Sequence, residues 1–203
     1  MLRTDTLEKH TLELLKKLQT LEALRNTRLA GGTALALQIG HRLSVDLDFF
    51  GDVPQDTNQL IEEFNDNNIK NRLDYNSKSI KQFTINNVKV DIVNYPYKWL
   101  EPAREEEGIK LADLKDITAM KLEAIINRGT RRDFVDIYFL LRYFQLDLQI
   151  KLYMLKYPDG SSFNVLRSLT YFEDAETSPM PKMLIDADWE QIKLAIKSAV
   201  AKY

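Results

Sequence analysis

Two aspartates, Asp46 and Asp48, stand two residues apart in Val45-Asp-Leu-Asp-Phe-Phe50. On a strand this spacing sends both carboxylates to one face and Val45, Leu47 and Phe49 to the other. Carboxylates held side by side repel unless a cation lies between them, and hard divalent ions such as Mg²⁺ take oxygen ligands of this kind. A solvated strand face is the ordinary alternative. Asp is depleted in strands, however, and here it occurs twice beside two phenylalanines. Asp91, in Lys89-Val-Asp-Ile-Val93, is a third carboxylate on a second expected strand. Three carboxylates on adjacent strands could hold two Mg²⁺ about 3.5–4 Å apart, which suits in-line phosphoryl or nucleotidyl transfer.

Upstream, Gly31-Gly32-Thr33 opens a short helical segment. Glycines allow close backbone approach, and a helix N-terminus offers unpaired N–H groups that suit a phosphate. Thr33 is placed to cap that helix and to touch a phosphate oxygen; a tight turn with an ordinary cap explains the same residues. Downstream, Lys121 and Arg128 fall within the apolar arc formed by Leu114, Ile117, Met120 and Ile125. A lysine there either snorkels or meets an anion. Asp133 and Asp136 repeat the anomaly on the next helix, beside Ile137 and Leu140. Buried carboxylates need partners, and Arg128, Arg131 and Arg132 are near in sequence. For Asp133 a helix-start position and a salt bridge are sufficient explanation; for Asp136 they are less so. Residues 110–132 hold six Lys or Arg against three Asp or Glu. That surplus suits a triphosphate or an RNA backbone, or a solvated surface.

The elements that must position these groups follow from periodicity. Leucines from Leu7 to Leu24 recur at helical spacing, predicting a helix over 6–25. A short helix over 34–39 ends at Gly40. A strand is expected over 45–50, a polar helix over 57–65, and two or three strands over 69–93 with an Asn86-Asn87 hairpin turn. Pro96, Pro102 and Glu105-Glu-Glu-Gly108 read as loop. Helices are expected over 113–128, 132–146, 148–156 and 189–202, with an acidic loop over 173–190. The fold class is α+β: a small mixed sheet flanked by helices, then a helical second half.

Composition narrows the function. The 203 residues include 28 Lys or Arg and 30 Asp or Glu, a net charge of −2, with 44% hydrophobic residues. Bulk attraction to nucleic acid or an anionic membrane is not the main driver, although a local basic patch remains open. The chain has no cysteine, which excludes disulfide-linked partners, thiolate metal sites and a Cys nucleophile. Two histidines, His10 and His41, exclude a His-rich metal site. No apolar run approaches the ~18 residues of a membrane span, and no leader is legible, so no membrane partner and a cytoplasmic location are expected.

Taken together, Leu29-Ala-Gly-Gly-Thr-Ala-Leu-Ala-Leu-Gln38, His41-Arg-Leu-Ser-Val-Asp-Leu-Asp-Phe-Phe50, Leu114-Lys-Asp-Ile-Thr-Ala-Met-Lys-Leu-Glu-Ala124 and Arg131-Arg-Asp-Phe-Val-Asp136 resemble the AbiEii/AbiGii-type toxin nucleotidyltransferases. These belong to the DNA polymerase β-like nucleotidyltransferase superfamily. The resemblance runs from about residue 27 to 145; no motif is recognised in the tail. It implies a nucleotidyltransferase core over 1–105 and a helical region over 106–203 that completes the active site. It implies a catalytic set of Asp46, Asp48, Lys121 and Asp136, and metal ligation by Asp46, Asp48 and Asp91. Nucleotide binding falls to Gly31, Gly32, Thr33, Arg42, Ser44, Lys121, Arg128 and Arg132. The family commonly has Ser where this chain has Thr33, which keeps the hydroxyl. The implied cofactor is Mg²⁺, with Mn²⁺ as a substitute, and the substrate is an NTP. The acceptor is a tRNA 3′ end or a protein hydroxyl, and a cognate antitoxin and a role in phage defence are expected. The alternative is a catalytically silent nucleotide- or partner-binding module on the same fold.

Overall fold

In the computed structural model, which describes residues 1–203, the period-two segments of the first half assemble into one seven-stranded mixed sheet. Its strands are β1 (Thr27–Leu29), β2 (Leu47–Gly51), β3 (Asn71–Asn76), β4 (Ile80–Ile85), β5 (Val88–Asn94), β6 (Arg104–Glu106) and β7 (Ile109–Leu111), in the order β3-β4-β5-β2-β1-β7-β6. β2 runs parallel to β5, and β1 parallel to β7; the other pairs are antiparallel. Alternation decides the faces. Leu47 and Phe49 on β2, Phe83 and Ile85 on β4, and Val90 and Ile92 on β5 are fully buried, while Asp48 and Asp91 fall on the opposite face. Phe64 meets Phe83 edge-on at 5.2 Å and seats the helix α3 (Thr57–Asp66) on this core.

The Asn86-Asn87 turn forms as expected, with φ of 50° and 65°. Positive φ at both central residues matches the twist of the flanking strands. Glu107 (φ 54°) and Gly108 (φ 75°) do the same between β6 and β7, where a loop was expected. Three charged residues give no alternation to read, and backbone pairing alone makes β6 a strand. This hairpin keeps residues up to Ala112 with the sheet. β1 was also unanticipated: at three residues it is too short to show a period, yet it lies between β2 and β7.

The expected helix over 6–25 is shorter. α1 spans Lys9–Leu18, and single 3₁₀ turns at Thr4–Thr6 and Glu22–Leu24 take its ends. Extended backbone at Leu21 breaks the helix while Leu21 and Leu24 stay buried. α2 runs Gly31–Ile39 and stops at Gly40 (φ 68°).

The chain divides into two compact units. Met1–Ile39, Ser44–Pro96 and Ala103–Ala112 form the first, and Gly40–Leu43, Tyr97–Pro102 and Asp113–Tyr203 the second. The second unit holds α4 (Leu114–Asn127), α5 (Arg131–Leu140), α6 (Leu146–Lys156), α7 (Ser162–Leu169), α8 (Glu173–Glu176) and α9 (Trp189–Ala201). α5 ends six residues earlier than expected, in a turn that leads to α6. The one-turn α8 falls in the expected loop. Residues 97–102 join this unit because buried Asp116 of α4 accepts the Leu100 and Glu101 N–H groups at 2.9 and 3.1 Å. Lys156 of α6, also buried, donates to Asp116 at 2.6 Å and to the Lys98 carbonyl at 3.1 Å. No helix is long and apolar enough to cross a membrane.

Candidate active site

In the first unit the glycine turn and the acidic pair are one construction. Gly31 has φ 64°, and a Cβ there would collide with Oδ2 of Asp48. Only glycine therefore lets α2 begin against that carboxylate. The Ala30 N–H donates to the Asp48 carbonyl at 2.9 Å, fixing the approach. Thr33 does not cap α2, as the sequence suggested. It lies inside the first turn, 1% exposed, with its hydroxyl bonded to the Asp46 carbonyl and 2.8 Å from the Ser44 hydroxyl. A carbonyl only accepts, so Thr33 donates to Asp46 and Ser44 supplies the second proton. The Thr33 and Ser44 hydroxyls thus pin the backbone beside the acidic pair.

Asp46 lies one residue before β2 and Asp48 within it. Asp48 is in direct register with Asp91 across the parallel β2–β5 pair. Asp91 accepts from Lys89 at 2.7 Å and from Gln82 at 3.3 Å, both through Oδ2. Its Oδ1 is buried with no hydrogen-bond partner. Burial pulls the Lys89 ammonium down, but the hydrogen bond and charge of Asp91, with the charges of Asp48 and Asp46, outweigh it and raise its pKa. Lys89 therefore senses all three carboxylates. An all-oxygen donor set with one orphaned, buried oxygen fits a hard divalent cation. No three Asp, Glu or His side chains are gathered at ligating distance, and Lys89 supplies the nearby positive charge.

In the second unit, Asp136 is fully buried and collects four donors. His41 Nε2 and Arg42 Nε reach Oδ1, each at 2.7 Å; Arg42 Nη2 reaches Oδ2 at 2.9 Å, and Lys121 Nζ at 2.7 Å. Asp133, also buried, accepts from Lys121 at 3.1 Å, from Arg128 at 2.9 and 3.0 Å, and from the Thr130 hydroxyl at 2.6 Å. Burial opposes ionisation of both acids. Arg42, Lys121 and His41 outweigh it at Asp136, and Lys121, Arg128 and Thr130 at Asp133, holding both carboxyls well below their usual range. Burial likewise depresses His41, against the pull of Asp136. With His41 neutral, three cations (Arg42, Lys121, Arg128) pair with these two carboxylates.

This changes how several expected groups sit. Lys121, expected to meet nucleotide phosphates, is 4% exposed and shared between the protein's own carboxylates. Arg42 is 3% exposed and grips Asp136. Arg128 is turned outward, its side chain 62% exposed. Arg132 lies exposed in the first turn of α5. Asp133 takes the helix-start position that its spacing suggested, bonding Thr130. Residue reading assigned no role to His41, and only its place beside Arg42 hinted at one. Gln82 carried no signal, because its partner Asp91 is set by strand register.

Comparisons with known proteins bear on the family and the fold. An uncharacterized protein of Aquifex aeolicus is 36% identical over 203 residues, 97% of each chain. The crystal structure of JHP933 from Helicobacter pylori matches at 20% identity and a TM-score of 0.61, over 97% of this chain and 92% of that one. The nucleotidyltransferase toxin MenT4 of Mycobacterium tuberculosis matches at 14% identity and a TM-score of 0.57, over 96% and 85%. The chain shares its fold with these solved structures. The family model for the nucleotidyl transferase AbiEii toxin of type IV toxin–antitoxin systems matches residues 13–202, and so includes the tail in which no motif was legible. On that match the chain belongs to the AbiEii family of toxin-type nucleotidyltransferases.

Proposed function

We propose that the protein moves a nucleoside monophosphate from an NTP to a hydroxyl acceptor, the 3′ end of a tRNA or a protein side chain. An acceptor oxygen–phosphorus bond forms at the α-phosphate, the α–β phosphoanhydride bond breaks, and pyrophosphate leaves. The observation that carries this reading is the register pairing of Asp48 with Asp91, with Gly31 packed against Asp48. Asp46, Asp48 and Asp91 are the oxygens that would hold Mg²⁺, or Mn²⁺ in its place. The metal would activate the attacking oxygen and neutralise the leaving group.

The chain's own contribution is positioning. The N–H groups at Gly31, Gly32 and Thr33 open α2 and suit triphosphate oxygens. The Thr33 and Ser44 hydroxyls act through the backbone of Asp46 rather than on the nucleotide. Asp136 acts by fixing the positions of Arg42 and Lys121. A cytoplasmic, growth-arresting role beside a cognate antitoxin, in phage defence, is part of the same proposal.

A second reading, a catalytically silent module, draws on Lys89, which places an ammonium on Asp91. One assay separates the two: purified protein, Mg²⁺, each α-³²P-labelled NTP and total tRNA, with Asp48→Ala as control. Label on RNA or protein with wild type alone supports transfer. NTP binding by calorimetry with no label on any acceptor supports the silent module.

A further inference from the structure

The second unit carries a cleft of about 370 Å³ between the C-terminal end of α4 and one face of α7. That volume lies within the ~300–1,000 Å³ typical of small-ligand sites. Asn164, Arg167, Ser168 and Tyr171 line it, spaced 0, 3, 4 and 7, so they form one helical stripe that continues just past the end of α7. Val165 and Leu169 on the other side are fully buried, which fixes the rotation of the helix and keeps the polar stripe outward.

Two guanidiniums reach the cleft. Arg128 comes from the end of α4, its plane set by the two hydrogen bonds to Asp133. Arg167 comes from α7, and its guanidinium has no ion pair or hydrogen bond within the protein. Tyr171 is 49% exposed, tethered by its hydroxyl to Glu173 at 3.1 Å. Asp174 completes the rim. The group thus combines an exposed aromatic ring, two planar cations, an amide, a hydroxyl and one carboxylate.

We propose that this cleft binds one nucleotide unit of a single-stranded RNA, the acceptor strand of the transfer reaction; the inference rests on the proposed activity for that last role. Arg128 and Arg167 take the backbone phosphate and Tyr171 stacks on the base. Single-strand sites pair cationic backbone contacts with aromatic platforms in this way. Asn164, Ser168 and Asp174 present acceptors and donors to a base edge, and a carboxylate suits an exocyclic amino group. A phosphopeptide site would concentrate its arginines on the phosphate. It would gain nothing from Tyr171, and Asp174 would repel it.

The test is fluorescence anisotropy of a 5′-fluorescein-labelled ten-nucleotide single-stranded RNA with the full chain, in EDTA and without NTP. Wild type is expected to bind, more weakly as salt rises. Arg167→Glu and Tyr171→Ala should each weaken binding about tenfold or more, as loss of one stacked base implies. Lys70→Glu, an equal charge reversal at an exposed lysine of the first unit, should leave binding intact, as should Asp48→Ala. Circular dichroism confirms that each variant is folded. Absence of wild-type binding, unchanged binding in both cleft variants, or equal loss in Lys70→Glu overturns the proposal. Stronger displacement of the RNA by a phosphoserine peptide overturns it in favour of a phosphopeptide. Cleft-dependent RNA binding without label transfer sustains this site and defeats the activity; label transfer with intact binding in the cleft variants does the reverse.

Discussion

Asp48 stands opposite Asp91 on the parallel strands β2 and β5, and the carboxylate of Asp48 occupies the space where Gly31 would otherwise carry a Cβ. A backbone position, a strand register and a helix start are thereby coupled to one carboxyl group.

Gly31→Ala should be unusually damaging. The left-handed backbone alone costs about 1–2 kcal/mol for a non-glycine residue, and the new methyl must also displace Asp48. Gly108→Ala is the matched control, with φ 75° and open space around it. Urea unfolding should show a loss of about 1 kcal/mol for Gly108→Ala and a clearly larger one for Gly31→Ala. Nucleotide labelling should disappear only in Gly31→Ala.

Lys89→Met removes a cation whose charge is coupled to three carboxylates. Its side chain is 51% exposed, so water screens the pair and the loss of stability should stay below about 1 kcal/mol. That corresponds to a fall in Tm of no more than about 2–4 °C for a chain of this size. Millimolar Mn²⁺ should raise the Tm of the variant more than that of wild type. Equal shifts would show that Lys89 does not compete for the site.

Removing Asp136 should cost far more than removing Arg128. Asp136→Ala leaves Arg42 and Lys121 buried with one partner fewer, a loss of about 3–5 kcal/mol for a broken buried pair. Arg128 is largely exposed, and Asp133 keeps Lys121 and Thr130 without it. Arg128→Ala should therefore cost about 1 kcal/mol or less in chemical unfolding.

Stability should fall on the acid side in two stages. His41 has a depressed folded pKa, so below the unfolded value of about 6.5 the unfolded chain binds a proton that the native chain does not. Stability then declines by up to about 1.4 kcal/mol per pH unit until the folded pKa is reached. Asp133 and Asp136, also depressed, contribute stability above their unfolded pKa of about 3.9 and lose it as pH falls further. Thermal melts from pH 7.5 to 3 should show both limbs. His41→Gln should remove the first and keep the second; persistence of the first would assign it elsewhere.

Local pattern alone determined the α+β class, the Asn86-Asn87 hairpin, α3, α4 and α9; it singled out Asp46, Asp48, Lys121 and Asp136 as anomalous and Asp91 as a third strand carboxylate. For Lys121 and Asp136 the conflict is with helical periodicity, and for Asp46 and Asp48 with strand propensity; both are read from neighbours along the chain. Sequence could not supply what those anomalies bond to. Lys121 was legible as a misplaced cation. That its partners are Asp133 and Asp136, rather than a ligand, depends on how α4 and α5 pack. β1 and the β6–β7 hairpin escaped notice because three-residue strands carry no period and are held by hydrogen bonds to distant segments. The facing of Asp48 and Asp91 is likewise a matter of register between strands some forty residues apart, since a slip of one residue would turn every side chain of the strand to the other face.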